Sequence, residues 1–155
     1  MGKPVEASVV IKRPRVEVFK FVTDLDSAPQ WQAELVEVRD VSQTPIGAGA
    51  TMTVVRLHLG RRVENTMRVS AYEPPGRISL VTVSGYLPAD LDFFLEAVNG
   101  GTRVIVRNDW QLPDGLFFRL LRLAKGLFDR MDQRQWMSNL EKLRALLETR
   151  AVKSG

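Results

Sequence analysis

The sequence predicts an α+β fold: a curved antiparallel sheet of about seven strands, two short helices after the first strand, and a long C-terminal helix over the concave face. Three observations carry this. Runs with a period of two fill Glu34 to Gln111, separated by turns of a few residues. Strands joined so tightly must be antiparallel neighbours, because a parallel pair needs a crossover of a dozen or more residues. One long helical stretch, Leu116 to Glu148, then closes the chain. A sheet wrapped round a helix encloses a cavity.

The elements follow in order. Ala7 to Ile11 is β-branched and stops before Pro14, which suits the first turn of a helix. Val16, Phe19, Val22 and Leu25 recur at helical spacing over Arg15 to Thr23, and Ser27 offers an N-cap to a second short turn through Pro29 and Trp31. Leu35, Val36 and Val38 to Val41 give the second strand, and the Thr44 to Gly49 loop follows. Thr51 to Leu59 and Arg61 to Tyr72 flank Gly60 as a tight hairpin; Glu73-Pro74-Pro75-Gly76 turns into Ile78 to Ser84. Asp90 to Val98 and Thr102 to Gln111 are joined by Asn99-Gly100-Gly101, the strongest hairpin signal in the chain.

Alternation assigns faces. Val104, Val106, Asn108 and Trp110 are expected inward, as are Val63, Asn65, Met67, Val69 and Ala71, and Phe93, Leu95 and Ala97. On the strand carrying Arg56 and His58 both faces contain apolar residues, so alternation does not choose between them. Asp114 is placed to cap the final helix. Phe117, Leu120, Leu121, Ala124, Leu127, Phe128 and Met131 then form one apolar stripe, which turns polar through Gln135, Ser138, Asn139 and Lys142. Trp136, Leu140, Leu143 and Leu147 form a second stripe, displaced by roughly a third of a turn. One straight helix cannot lay both on one surface. The expectation is a kink, a break near Gly126 to Asp132, or a first half that packs elsewhere than on the sheet.

Composition narrows the function. The chain has 155 residues, 45% apolar and 26% charged, which suits one folded domain over residues 1–150 with a flexible tail at 151–155. Without cysteine there are no disulfides, thiolate metal sites or cysteine nucleophiles. No apolar stretch opens the chain and no window approaches the ~18 residues of a membrane span, so a cytoplasmic location is expected. The net charge is +4, and Arg119, Arg122, Lys125, Arg130, Arg134, Lys142 and Arg144 spread along the last helix, mixed with Asp129, Asp132 and Glu141. That reads as a solvated face rather than a nucleic-acid footprint, and no nucleic-acid partner is expected. No metal is expected either, because no His/Asp/Glu cluster has ligand spacing. Nor is there a nucleophile elbow or a phosphate-cradling loop.

Several stretches together resemble a known family: Ile11 to Pro14 leading into Val18-Phe19-Lys20-Phe21-Val22-Thr23-Asp24, Pro29-Gln30-Trp31, Tyr72-Glu73-Pro74-Pro75 with Arg77, Gly100-Gly101-Thr102-Arg103-Val104, and Asn139-Leu140-Glu141-Lys142-Leu143. In order and spacing the chain is similar to the START/Bet v 1-like (SRPBCC) superfamily, in its polyketide cyclase/dehydrase-like branch. The resemblance implies a helix-grip fold and a cavity that takes lipids, sterols, hormones or polyketide intermediates. It brings no universal catalytic signature and implies no cofactor.

Two functions stay open on the residues. In the first, the protein binds or carries a hydrophobic small molecule. The expected ligand-binding residues are Asn65, Met67, Tyr86, Phe93, Asn108, Trp110, Phe117, Leu121, Phe128 and Met131. Asn65 and Asn108 are buried amides that must meet a ligand oxygen, a water or a backbone group. Trp31 and Trp136 are expected to be packing anchors. In the second, the protein is a polyketide aromatase/cyclase or dehydratase acting by general acid/base catalysis. Its candidates are His58, the single histidine, and Tyr86, with Glu64 only under a shifted register. Exposed apolar residues in the first half of the last helix also suggest peripheral membrane contact, including lipid or quinone handling at a membrane surface, or a homodimer.

Overall fold

Strands form where β-branched and aromatic residues alternate with polar ones: β1 (Val5–Ile11), β2 (Leu35–Arg39), β3 (Thr51–His58), β4 (Arg61–Glu73), β5 (Arg77–Gly85), β6 (Ala89–Val98) and β7 (Gly101–Trp110). The helices are α1 (Arg15–Val22), α2 (Leu116–Arg122) and α3 (Lys125–Ser154), with a single 3₁₀ turn at Ala28–Gln30. The computed structural model describes residues 4–85, 87–111 and 115–154, and side chains as far as residue 149.

All strand pairs are antiparallel in the order β1-β7-β6-β5-β4-β3-β2, so the first strand returns beside the last and β1 and β2 form the edges. Register shifts between Thr66 and Met67 and between Val69 and Ala71 interrupt the long β4 where it pairs with β5. Such irregularities bend a strand and increase its twist, which is how the sheet curls into a half-barrel. The β3–β4 hairpin closes on Leu59 and Gly60, both at positive φ (51° and 78°), between the paired His58 and Arg61. Two positive φ values are the geometry of a two-residue turn that matches strand twist.

The core lies between the concave face and α3. Trp136, Leu140, Leu143 and Leu147 from the helix are buried with Met67, Val69, Phe93, Leu95, Val104 and Val106 from the sheet. Trp31 and Trp136 anchor it, stacked edge-to-face on either side of Phe93 at 6.1 and 5.9 Å. Each fully enclosed leucine contributes about 1.5–3 kcal/mol relative to exposure. α3 is also tied to the edge strand β1, where Gln133 Nε2 donates to the Glu6 carbonyl at 3.1 Å.

Some expectations need correction. The last helix breaks at Leu123-Ala124, just before the expected Gly126 to Asp132 window. There the N–H groups of Leu123 and Ala124 bond three residues back, to Leu120 and Leu121, a tightening that ends the α-helical ladder. Ser27 stands at the N-cap of the 3₁₀ turn but does not cap it; its hydroxyl donates to Asp24 Oδ2 at 2.7 Å instead. Ala97 is exposed, although Thr102 opposite it across the β6–β7 hairpin is fully buried. β2 ends at Arg39 rather than Val41. Asp114 lies outside the described residues.

Candidate functional site

A cavity of about 290 Å³ opens between the sheet and the first turns of α3. Its size is near the lower end of the ~300–1,000 Å³ typical of small-molecule sites. Alternation delivers its walls. From β3 come Val54, Arg56 and His58; from β4, Val63, Asn65 and Met67; from β6 and β7, Ala89, Leu91, Asn108 and Trp110. Phe128, Met131, Asp132, Gln135 and Trp136 of α3 close the other side. A smaller chamber of about 50 Å³ continues inward, and Val54, Arg56, Met67 and Leu91 line both spaces. Arg56 therefore stands at the waist between them.

One wall is polar and internally bonded. Arg56 Nη1 donates to Glu34 Oε1 at 3.0 Å, and its guanidinium lies 5.8 Å from the Trp136 ring centroid. Asn139 Nδ2 donates to both Glu34 oxygens at 3.3 and 3.2 Å, while Asn139 Oδ1 accepts from the Ala33 N–H and from Gln135 Nε2. Glu34 is thus fixed from the strand and from the helix. Burial pulls the Arg56 guanidinium below its ordinary value, opposed by Glu34 and then Asp132. The ion pair is only about three-quarters enclosed, with 25% and 21% side-chain exposure, so solvent still reaches it.

Asp132 completes this wall. Its Oδ2 accepts from Asn108 Nδ2 at 2.9 Å. Burial raises its carboxyl above the ordinary value; the Asn108 bond opposes that, Glu34 adds to it, Arg56 opposes it and Asp129 adds again. The result is a carboxyl that keeps its proton to higher pH than a surface aspartate and faces an apolar chamber. Such a group can donate to a ligand carbonyl or accept from a ligand hydroxyl.

At the mouth, Trp110 Nε1 donates to Asp129 Oδ1 at 2.9 Å, and Lys125 Nζ pairs with the same carboxylate at 3.1 Å while lying 4.5 Å from the Trp110 ring centroid. This fastens the end of β7 to the first turn of α3. Asn65 fastens the opposite lip, its Nδ2 donating to the Leu87 carbonyl at 3.0 Å. Its Oδ1 is enclosed without a partner and lies against Gly85, where a Cβ would come within 1.9 Å of it. Only glycine fits that close approach.

The structure thus brings Asn65, Met67, Asn108, Trp110, Phe128 and Met131 to one cavity, with His58 at its exposed mouth. Phe93 lies deeper, buried against the inner chamber and the two tryptophans. Phe117 and Leu121 do not line the cavity: they belong to α2, which has no buried residue, and the break after it turns their stripe away from the sheet. Tyr86 lies outside the described residues. Glu64 faces outward, bonded to Arg39, so the register that would have brought it inside does not occur. Among the described residues no group of three or more His, Asp or Glu side chains is placed to hold a metal, and no helix is long and apolar enough to cross a membrane.

Sequence reasoning missed Glu34, Arg56, Asp132 and Gln135, and read Asp129 and Asp132 as solvated. A signal existed. Phe128, Asp132, Gln135 and Asn139 recur at helical spacing, so the point where the first stripe turns polar is where the helix begins to face the cavity.

Residues 4–148 match the family described as polyketide cyclase/dehydrase and lipid transport. No protein of curated function matches by sequence. Among solved structures, TTHA0849 from Thermus thermophilus superposes with a TM-score of 0.76 at 21% identity, over 92% of this chain and 94% of that one. A START superfamily protein from Mycobacterium smegmatis gives 0.65 at 16%, over 99% and 100%. DynU16, a putative protein in the dynemicin biosynthetic locus, gives 0.68 at 19%; the match spans 96% of this chain and 48% of that longer one. At such identities the likeness is one of fold, the helix-grip fold of the START/Bet v 1-like superfamily.

Proposed function

This chain belongs to the polyketide cyclase/dehydrase and lipid transport family, and we propose that it binds a compact hydrophobic small molecule whose polar end meets the Arg56–Asp132 wall. The single observation that carries this reading is a cavity lined largely by apolar side chains that also presents two bonded polar pairs, Arg56 with Glu34 and Asp132 with Asn108. Its volume suits a ring system or one acyl chain better than a whole diacyl lipid. About 300 Å² of buried ligand surface at ~25 cal/mol per Å² supplies roughly 7–8 kcal/mol, the micromolar range before ordering costs. The polar groups then select orientation rather than affinity, because Arg56 is already bonded to Glu34 and Asp132 to Asn108.

A thermal-shift and native mass spectrometry screen of aromatic polyketide-like compounds, fatty acids and sterols tests it. Compact ligands should raise Tm, and Val63→Trp, which fills the apolar side, should abolish the shift. If no ligand class shifts Tm and no small molecule co-purifies, the reading fails.

Asp132 favours a second reading, a cyclase or dehydratase. Its carboxylate would take a proton from the carbon beside a ligand carbonyl, and the carboxyl would return that proton to a departing β-hydroxyl. A C–H and a C–O bond break, a C=C bond forms and water leaves. Under this reading Asp132→Asn abolishes turnover of a β-hydroxyketone while leaving binding intact. Equal turnover by both proteins rejects it.

A further inference from the structure

We propose that the rim around the cavity mouth docks on a bilayer containing anionic lipids. This goes beyond the ligand reading, because docking is read with no ligand added.

The exposed large hydrophobic residues are concentrated there. Of the 13 among the described residues, eight lie either on the β3–β4 hairpin tip (Leu57, Leu59) or between Leu116 and Met131. α2 carries Leu116, Phe117 and Leu120 without burying any of them, and Leu123 follows at 88% exposure. The chain on either side of this segment is fixed to the mouth, by Trp110 before it and by Phe128 after it. The hairpin tip reaches the mouth from the sheet through Leu57, His58 and Leu59.

Leu59 is the most telling residue. It is 71% exposed and sits at φ 51°, a left-handed conformation that disfavours a branched side chain and that Asn, Asp or Gly ordinarily supply in such a turn. Folding gains nothing from a strained, exposed leucine. Strain of this kind collects where a surface has work to do.

Charge chooses the occupant. Between residues 115 and 135 there are two acidic side chains, against the exposed Arg119, Arg130 and Arg134. Both acids turn inward, Asp129 to Trp110 and Lys125, Asp132 to the cavity. Arg61 adds to the hairpin, where Arg62 is already paired with Glu37 and Glu64. A second copy across a twofold axis would set this positive surface against itself. An anionic bilayer complements the charge and accepts the leucines and phenylalanine in its interface. A mouth held against lipid also lets an apolar ligand pass between bilayer and cavity without crossing water.

Flotation of the full chain with phosphatidylcholine vesicles, and with vesicles of roughly seven parts phosphatidylcholine to three of phosphatidylglycerol, tests this. Binding should require the anionic lipid and fall as salt rises from ~0.05 to ~0.5 M. Leu120→Asp and Leu59→Asn should each weaken it roughly tenfold. Leu59→Asn relieves the turn, so its Tm should hold or rise, which separates lost docking from misfolding. Val16→Asp, at an equally exposed apolar site on α1, should change nothing. The proposal is overturned by any of three results: no flotation with anionic vesicles, flotation that the rim variants leave unchanged, or a dimer that Leu120→Asp dissolves in a protein that ignores vesicles.

Discussion

Two parts of the last helical segment have similar apolar content and opposite fates. From Trp136 to Leu147 the large apolar side chains at helical spacing are buried, and Leu140 and Leu143 are wholly enclosed. From Leu116 to Met131 most of them are exposed. Apolar content alone therefore does not decide burial. The break at Leu123-Ala124 and the one-third-turn offset between the stripes decide which residues meet the sheet. Where the two parts meet, Phe128, Met131, Asp132, Gln135 and Trp136 line the cavity, and there the helix directs polar groups toward it. One segment thus serves as core, binding wall and outer surface in succession.

Substitutions can break that contrast, beginning with the largest effect. Leu140→Ala should cost about 2–5 kcal/mol in urea unfolding, because it leaves a cavity in a rigid region. A cost under 1 kcal/mol would mean the clamp is not where the core is held. Asn139→Ala should cost about 1–3 kcal/mol, since the Ala33 N–H and the Glu34 carboxylate both lose a partner inside the protein. Such a loss without any change in ligand affinity would assign Asn139 to the scaffold alone.

Asp132→Asn should have a smaller effect of opposite sign, and one that depends on pH. The folded carboxyl is raised above its ordinary value near 3.8, so its contribution to stability is whole below that pH and is lost as pH rises through the folded value. The amide carries no charge to bury. The variant should therefore be more stable than the parent at neutral pH, with the advantage shrinking toward pH ~4. An advantage that stays constant from acid to neutral pH would show that burial of the charge is not its source. The smallest effect belongs to Leu120→Ala, within about 0.5 kcal/mol, because that side chain is already in water. A larger loss would mean that α2 is covered in solution.

Much of this was legible in the residues, and the misses have a common cause. Local chemistry marked every strand and the two hairpins through Gly60 and Asn99-Gly100-Gly101, because period and turn type depend on neighbours in sequence. The inward faces of β4 and β7 followed from alternation. On β3 alternation was silent, since Val54 and Val55 are both buried and the pattern does not separate the faces. Arg56 consequently went unread as a cavity residue. Asp129 and Asp132 looked solvated because charged residues on a helix usually are; what they face depends on β7, some twenty residues away. Ser27 looked like a cap, yet Asp24 offered its hydroxyl a nearer partner.

By itself the sequence determined the element order, the antiparallel sheet, the two stripes of the last helix and that one straight helix could not lay both on the sheet. These follow from steric and hydrophobic periodicities that act within a few residues. Only the tertiary structure decided that Glu34, Arg56, Asn108 and Asp132 meet at one cavity, that Phe117 and Leu121 lie outside it, and that His58 stands at its mouth. Those relations join strands and a helix far apart in the chain. Their energies depend on who is opposite whom once the sheet has curled, and no local pattern in the residues carries that information.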